Sequence, residues 1–132
     1  MSKTILITGA TSGFGEAMAH VFAAAGNKLI VTGRKESVLA RLKETLVSKH
    51  NVTVHTLCFD VQNKEAVFEA VNSIPAAFKN IDVLINNAGL ALGRDTFQDA
   101  NLDDWETMID TNVKGLLYVS KAVLPLLIQN KK

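Results

Sequence analysis

One cysteine, Cys58, stands among 132 residues. No disulfide can form within the chain, which excludes the stapled scaffold of a small secreted domain and fits a reducing cytoplasm. Charge of neither sign prevails: 14 basic and 13 acidic side chains leave a net +1, spread along the chain without a block. Nucleic acid therefore has no electrostatic footprint to follow. Long hydrophobic runs are also missing. The start, Met1-Ser2-Lys3-Thr4, enters a short apolar strand with no signal-peptide core. The most apolar stretch, residues 116–128, is broken by Lys121 and falls short of the ~20 residues that span a bilayer. A buried helix is expected there, with no membrane partner. The three histidines, His20, His50 and His55, share no ligand spacing, so no metal site is predicted. Charged residues are only 20% of the chain against 48% hydrophobic, which argues for one packed domain rather than disorder.

Short β-rich runs alternate with longer segments of helical period. Residues 3–8 (KTILIT) read as a strand, followed by glycines and a helix face at Ala17, Met18, Val21, Phe22 and Ala25, stopped by Gly26-Asn27. Residues 29–32 form a second strand, and Val38, Leu39, Leu42 and Leu46 recur at helical spacing. Residues 52–59 form a third. Ala66, Val67, Ala70, Val71 and Ile74 make another helical stripe, closed by Pro75. Residues 81–85 are almost wholly apolar, as a strand buried on both faces should be. A Gly/Asp/Asn-rich loop then leads to a long helix over residues 102–130, where Trp105 is a packing anchor and Pro125 predicts a kink or weak point. This alternation predicts an α/β fold: a doubly wound, Rossmann-type parallel sheet in the order 3-2-1-4. Ligands of such sheets bind outside the carboxyl ends of the strands, where the order reverses.

Four sets of residues occupy those ends. After the first strand comes Thr8-Gly9-Ala10-Thr11-Ser12-Gly13-Phe14-Gly15. Its spacing, G-x-x-x-G-x-G, differs from the dinucleotide fingerprint G-x-G-x-x-G. A glycine-rich turn that opens a helix still gives a pyrophosphate close backbone approach and free N–H groups. After the second strand, where an NAD site holds an acid for the ribose 2′-OH, come Gly33-Arg34-Lys35. Cations at a helix start oppose its dipole, and a guanidinium pairs with a 2′-phosphate in a forked geometry. NADP is the expected cofactor, although Glu36 is a rival acid and a solvated basic helix start is the plainer alternative. Asp60-Val61 follow the third strand and Asn86-Asn87-Ala88-Gly89 the fourth. Singly these could be a helix cap and a turn; their recurrence at matching strand ends favours a shared site. Cys58, among apolar neighbours, is expected in the core.

Together these residues resemble the short-chain dehydrogenase/reductase family. Its T-G-x-x-x-G-x-G matches Thr8 to Gly15, its acid after the third strand Asp60, and its N-N-A-G Asn86 to Gly89. Its helix asparagine matches Asn112, in Asp110-Thr111-Asn112-Val113. The segments Asn87-Ala88-Gly89-Leu90-Ala91-Leu92-Gly93 and Asp104-Trp105-Glu106-Thr107-Met108-Ile109-Asp110-Thr111-Asn112 are similar to NADP-dependent dehydrogenases of serine and other 3-hydroxy acids. The resemblance implies that Gly9, Ala10, Thr11, Ser12, Gly13 and Phe14, with Gly15 completing the motif, cradle a pyrophosphate. Arg34 and Lys35 would meet the 2′-phosphate, Asp60 and Val61 adenine, and Asn87, Ala88 and Gly89 a ribose. Asn112 would be the catalytic member that holds a water of the proton relay; its alternative is a hydrogen bond to a nearby helix carbonyl. The substrate implied is a small hydroxy acid or another alcohol or carbonyl compound.

The family's mechanism also uses a Ser and a Tyr and Lys spaced Y-x-x-x-K. The one tyrosine, Tyr118, has Ala122 four residues on and Lys121 three on, so the motif is not in these residues. The resemblance thus implies that residues 1–132 are the NADP-binding front part of a longer oxidoreductase, incomplete at the C-terminus and inactive alone. A non-enzymatic dinucleotide-binding or regulatory protein is the alternative. Self-association is expected through the C-terminal helix or the open edge of the fourth strand, whose apolar residues outnumber one helix face.

Overall fold

Alternation within the first strand decides the layering. In the computed structural model, which describes residues 2–90, 92 and 96–130, β1 (Thr4–Ile7) is buried on both faces. Ile5 and Ile7 join one apolar cluster and Leu6 the other, the consequence of a side-chain period of two. On the first face they meet α1 (Gly13–Ala24) and α2 (Glu36–His50) through Ala19, Ala23, Leu39, Leu42 and Leu46. On the second, Leu6 meets Val67 and Val71 of α3 (Lys64–Asn72) and Val119 and Val123 of α5 (Leu116–Gln129). A strand covered by helices on both sides needs a near-continuous apolar run, and TILI supplies it.

The other strands are β2 (Lys28–Gly33), β3 (Val54–Cys58) and β4 (Val83–Ile85). All pair in parallel in the order β3-β2-β1-β4, as expected. Ile5 lies opposite Leu29 on one side and Val83 on the other, and Leu29 opposite Val54. β1 and β4 are two residues shorter than their expected runs and β3 three shorter, while β2 extends one residue beyond its run at each end. Asp82 accepts the Thr4 N–H through its carboxylate at 2.8 Å, so pairing beyond that point passes to a side chain. Truncating a core residue such as Leu6 or Ile30 should cost about 2–5 kcal/mol.

Three expectations are corrected. Cys58 is exposed, because it is the last residue of a sheet-edge strand; its thiol donates to the Arg34 carbonyl at 3.4 Å. The long helix is irregular at Asp110–Gly115, a π-turn between α4 (Leu102–Ile109) and α5, and not at Pro125, which sits inside α5. That continuity gives an unbroken helical run, Leu102–Gln129, long and apolar enough by length and composition to cross a membrane. The apolar stretch counted from residue 116 missed the helix N-terminal to it. Here the run is tied to the sheet by buried Thr111, Gly115, Val119 and Val123. Trp105 does pack, its ring 4.9 Å from that of Phe97. Ala91 and Gly93 of the quoted resemblance lie outside the described residues.

Candidate functional site

The carboxyl ends of the strands are laced together by short bonds. Thr8, buried at the end of β1, accepts the N–H groups of Asn87 at 3.0 Å and Ala88 at 2.9 Å through one hydroxyl oxygen. The same hydroxyl donates to the Ile85 carbonyl at 3.5 Å. That uses both lone pairs and the proton of a threonine. Asn87 returns the link, its side-chain amide donating to the Gly9 carbonyl at 3.1 Å. Ala10 N–H donates to the Thr32 carbonyl at 3.0 Å and binds the turn to β2. Each tie joins segments far apart in sequence, so the cavity is shaped before anything enters it.

The turn itself depends on two glycines in different ways. Gly13 has φ +56, with nothing within 4 Å of where a Cβ would stand. Its conformation disfavours an L side chain, and the space beside it is open. Gly15 is the reverse: a Cβ there would overlap the Gly9 carbonyl oxygen and come within 2.6 Å of the Asn87 amide nitrogen. The start of α1 is thus pressed against the end of β1. Its N-cap, Ser12, makes no side-chain cap bond. The first-turn N–H groups have no intrahelical acceptor by position and are presented at the mouth.

The cavity formed there has a volume of about 330 Å³ and brings together Gly9, Thr11, Ser12, Gly13, Phe14, Arg34, Asp60, Val61, Asn87, Ala88 and Gly89. Four sequence candidates stand elsewhere. Ala10 is wholly buried beneath the turn, Gly15 is packed as above, and Lys35 is the exposed N-cap of α2. Asn112 lies behind the wall, grasping the loop with both ends of its amide. Its oxygen accepts Leu90 N–H and its nitrogen donates to the Leu90 carbonyl, each at 2.8 Å. The bond is to a loop backbone rather than to the helix carbonyl considered from sequence.

Among the lining residues only Arg34 and Asp60 are ionisable. One Asp60 carboxylate oxygen accepts Gln62 N–H at 3.0 Å, an Asx turn, while Asn63 caps α3. The sole ion pair among the described residues is Lys114–Asp110, so Arg34 stands exposed without a carboxylate partner among them. A Cβ on neighbouring Gly33 would stand 2.8 Å from the Thr11 methyl, so a side chain there requires the Thr11 side chain to shift. Phe14 is 83% exposed at the mouth. Such a lining holds a ligand through backbone N–H groups, one cation and one carboxylate; it offers no acid/base pair to transform it.

Sequence reasoning did not assign Thr32, Gln62, Leu90 and Thr111 to the lining. Thr111 alone had a signal, its place directly before Asn112. The histidines also hold a surprise. His20 Nδ1 and His50 Nε2 are 3.1 Å apart across α1 and α2, a pairing that a separation of 30 positions conceals.

A family model described as short chain dehydrogenase matches residues 3–132. Sulfoacetaldehyde reductase 2 of Chromohalobacter salexigens is 53% identical over 129 residues, 98% of this chain and 50% of that protein. The NADP-dependent 3-hydroxy acid dehydrogenase YdfG of Escherichia coli strain K12 is 50% identical over 121 residues, 92% of this chain and 47% of its own. Among solved structures, a closed form of serine dehydrogenase complexed with NADP+ superposes with a TM-score of 0.85 at 48% identity, over 96% of this chain and 49% of that one. The chain spans about half the length of the relatives it matches.

Proposed function

The chain belongs to the short-chain dehydrogenase family, and from that membership we propose that its strand-end cavity is the NADP site of an oxidoreductase. Bound there, NADP would supply or accept a hydride. The fit is carried by Arg34 beside Gly33, without a carboxylate partner among the described residues: a cation is offered where an NAD site holds an acid, and the Thr11 methyl crowds a side chain at position 33. The N–H groups of Ser12, Gly13 and Phe14 at the start of α1 would hold the pyrophosphate, with Gly9, Ala10, Thr11 and Gly15 shaping the turn. Arg34 and, from outside the wall, Lys35 would hold the 2′-phosphate. Asp60 and Val61 would flank adenine, and Asn87, Ala88 and Gly89 a ribose. Asn112 would position the loop at Leu90 and so the wall against which substrate rests.

The relatives named above act, by their names, on sulfoacetaldehyde, 3-hydroxy acids and serine. These share a small molecule that carries an ionised acid group and an alcohol or aldehyde, and that is the substrate class proposed for the whole protein, in the cytoplasm. We place a second copy of the chain against the C-terminal helix and the β4 edge. Leu116, Leu117, Leu124 and Ile128 are exposed together along that helix, and an isologous contact buries such a stripe on both copies at once.

Arg34→Ala tests the cofactor assignment by calorimetry. Loss of a charge-assisted bond should weaken NADP roughly tenfold or more while leaving NAD nearly unchanged. Equal losses for the two cofactors would refute it.

A further inference from the structure

One polar atom at the cavity has no partner. Thr111 is 6% exposed, it lines the wall, and its hydroxyl oxygen, itself buried, is the one such side-chain atom among the described residues without a hydrogen bond. Threonines in helices ordinarily satisfy the hydroxyl on a carbonyl three or four residues back. Thr111 instead stands in the π-turn Asp110–Gly115 and makes no such bond. The contrast with Thr8, whose hydroxyl uses its whole hydrogen-bonding capacity, is direct. An orphaned buried hydroxyl costs the folded chain stability, and its position against a ligand cavity gives it a use.

We propose that the Thr111 hydroxyl is a specificity-determining group that hydrogen-bonds the adenosine half of the bound dinucleotide. The assignment rests on the reading of the cavity as an NADP site. Placement at the adenosine end follows from the neighbours. Gly115, one helical turn on and on the same face, is packed so closely on Val61 that a Cβ would stand 2.7 Å from its methyl. Val61, Asp60 and Gln62 line the cavity on that side. Thr111 carries its methyl and hydroxyl on one Cβ, so a change of χ1 rotamer re-aims the hydroxyl without moving the backbone, the methyl taking another of the three staggered positions. In a rotamer that turns the hydroxyl to the cavity it would donate to or accept from a base edge or ribose oxygen.

The experiment compares Thr111→Val, Thr111→Ser and the unaltered chain, titrated with NADP and with 2′,5′-ADP, which lacks the nicotinamide half. Thr111→Val keeps the shape and removes the hydroxyl. It should weaken both ligands by about fivefold to tenfold while the unliganded protein melts no lower than the unaltered one, because an unsatisfied buried group has gone. Thr111→Ser should retain most of the affinity. Undiminished binding by Thr111→Val overturns the assignment, as does equal loss in Thr111→Ser, which would make the methyl the active part, or loss for NADP alone. An unaltered chain that binds neither ligand sinks the NADP reading itself and this assignment with it. Binding that survives Thr111→Val sinks the assignment only.

Discussion

Gly15→Ala should destabilise the unliganded domain although alanine is the better helix former. At an ordinary position in a helix the exchange stabilises by about 1 kcal/mol. Here the new Cβ meets the Gly9 carbonyl oxygen and stands 2.6 Å from the Asn87 amide nitrogen and 2.8 Å from the Gly9 carbonyl carbon. Those contacts are with backbone and with a side chain already bonded to it, so neither yields alone. The turn must shift, which strains or breaks the 3.1 Å bond from Asn87 to Gly9. Overpacking of this kind costs about 1–3 kcal/mol, and a lost internal hydrogen bond about 0.5–1.5 kcal/mol. Set against the propensity gain, the net loss is about 0.5–3.5 kcal/mol. Chemical denaturation of Gly15→Ala, Asn87→Ala and the double variant measures it. Since the two act on one contact, the double variant should be more stable than the sum of the single losses by roughly 0.5 kcal/mol or more. Gly13→Ala is the contrast: its Cβ meets nothing within 4 Å, so it should lose only the left-handed penalty of about 1–2 kcal/mol, additively with Asn87→Ala. A Gly15→Ala domain as stable as the original, or strict additivity with Asn87→Ala, would show that α1 is not wedged against the turn.

Acid should weaken the fold through His55, whose pKa is held below its ordinary 6.5 by burial and, next, by the charge of Lys43. The unfolded chain then takes up a proton that the folded one resists, so stability falls as pH drops below about 6.5. His55→Gln should flatten part of that fall in denaturation curves taken from pH 7.5 to 5.5, and parallel curves would refute the cause. Self-association should appear in light scattering at micromolar concentrations and weaken on Leu117→Lys or Leu124→Lys; a monomer at high concentration would mean that these exposed leucines remain open to solvent.

What could be read from the sequence was what the chain does locally. The run TILI and the glycine turn each state their environment within a few residues, whereas the almost wholly apolar run 81–85 reads as a strand buried on both faces and β4 is only half-buried, because it lies at the sheet edge. From those the parallel order and the end of the sheet that carries the site both follow. Contacts between distant segments left no such trace. His20 and His50 meet because α1 and α2 pack on one sheet face, and nothing in the residues between marks it. Cys58 reads as core by composition and is exposed because β3 lies at the sheet edge. Pro125 drew attention as the weak point of the long helix, whereas the irregular turn falls at Asp110–Gly115, a run mostly of weak helix formers (DTNVKG) that the stronger signal of the proline outweighed. Thr111 likewise needed the structure, since only a bond census shows that its hydroxyl is alone.

The ties that shape the cavity are separate from the groups that would give it preference. Thr8, the backbone of Ala10 and the Asn87 amide hold β1, β2 and β4 in register at their carboxyl ends. Arg34 takes part in that lacing only through its backbone carbonyl, which accepts from Cys58, and its guanidinium has no carboxylate partner among the described residues. Its side chain can therefore be exchanged without loosening the frame. Exchange of Gly33 is less free, because a Cβ there would stand 2.8 Å from the Thr11 methyl, which must shift to admit it. On the proposed reading, cofactor preference would divide into an electrostatic part on an open side chain and a steric part where position 33 meets Thr11. Removing Arg34 would then weaken the grip on a 2′-phosphate, and an acid at position 33 would be eased by a smaller residue at position 11. A chain that had lost only its arginine would bind both dinucleotides poorly and would not become an NAD protein.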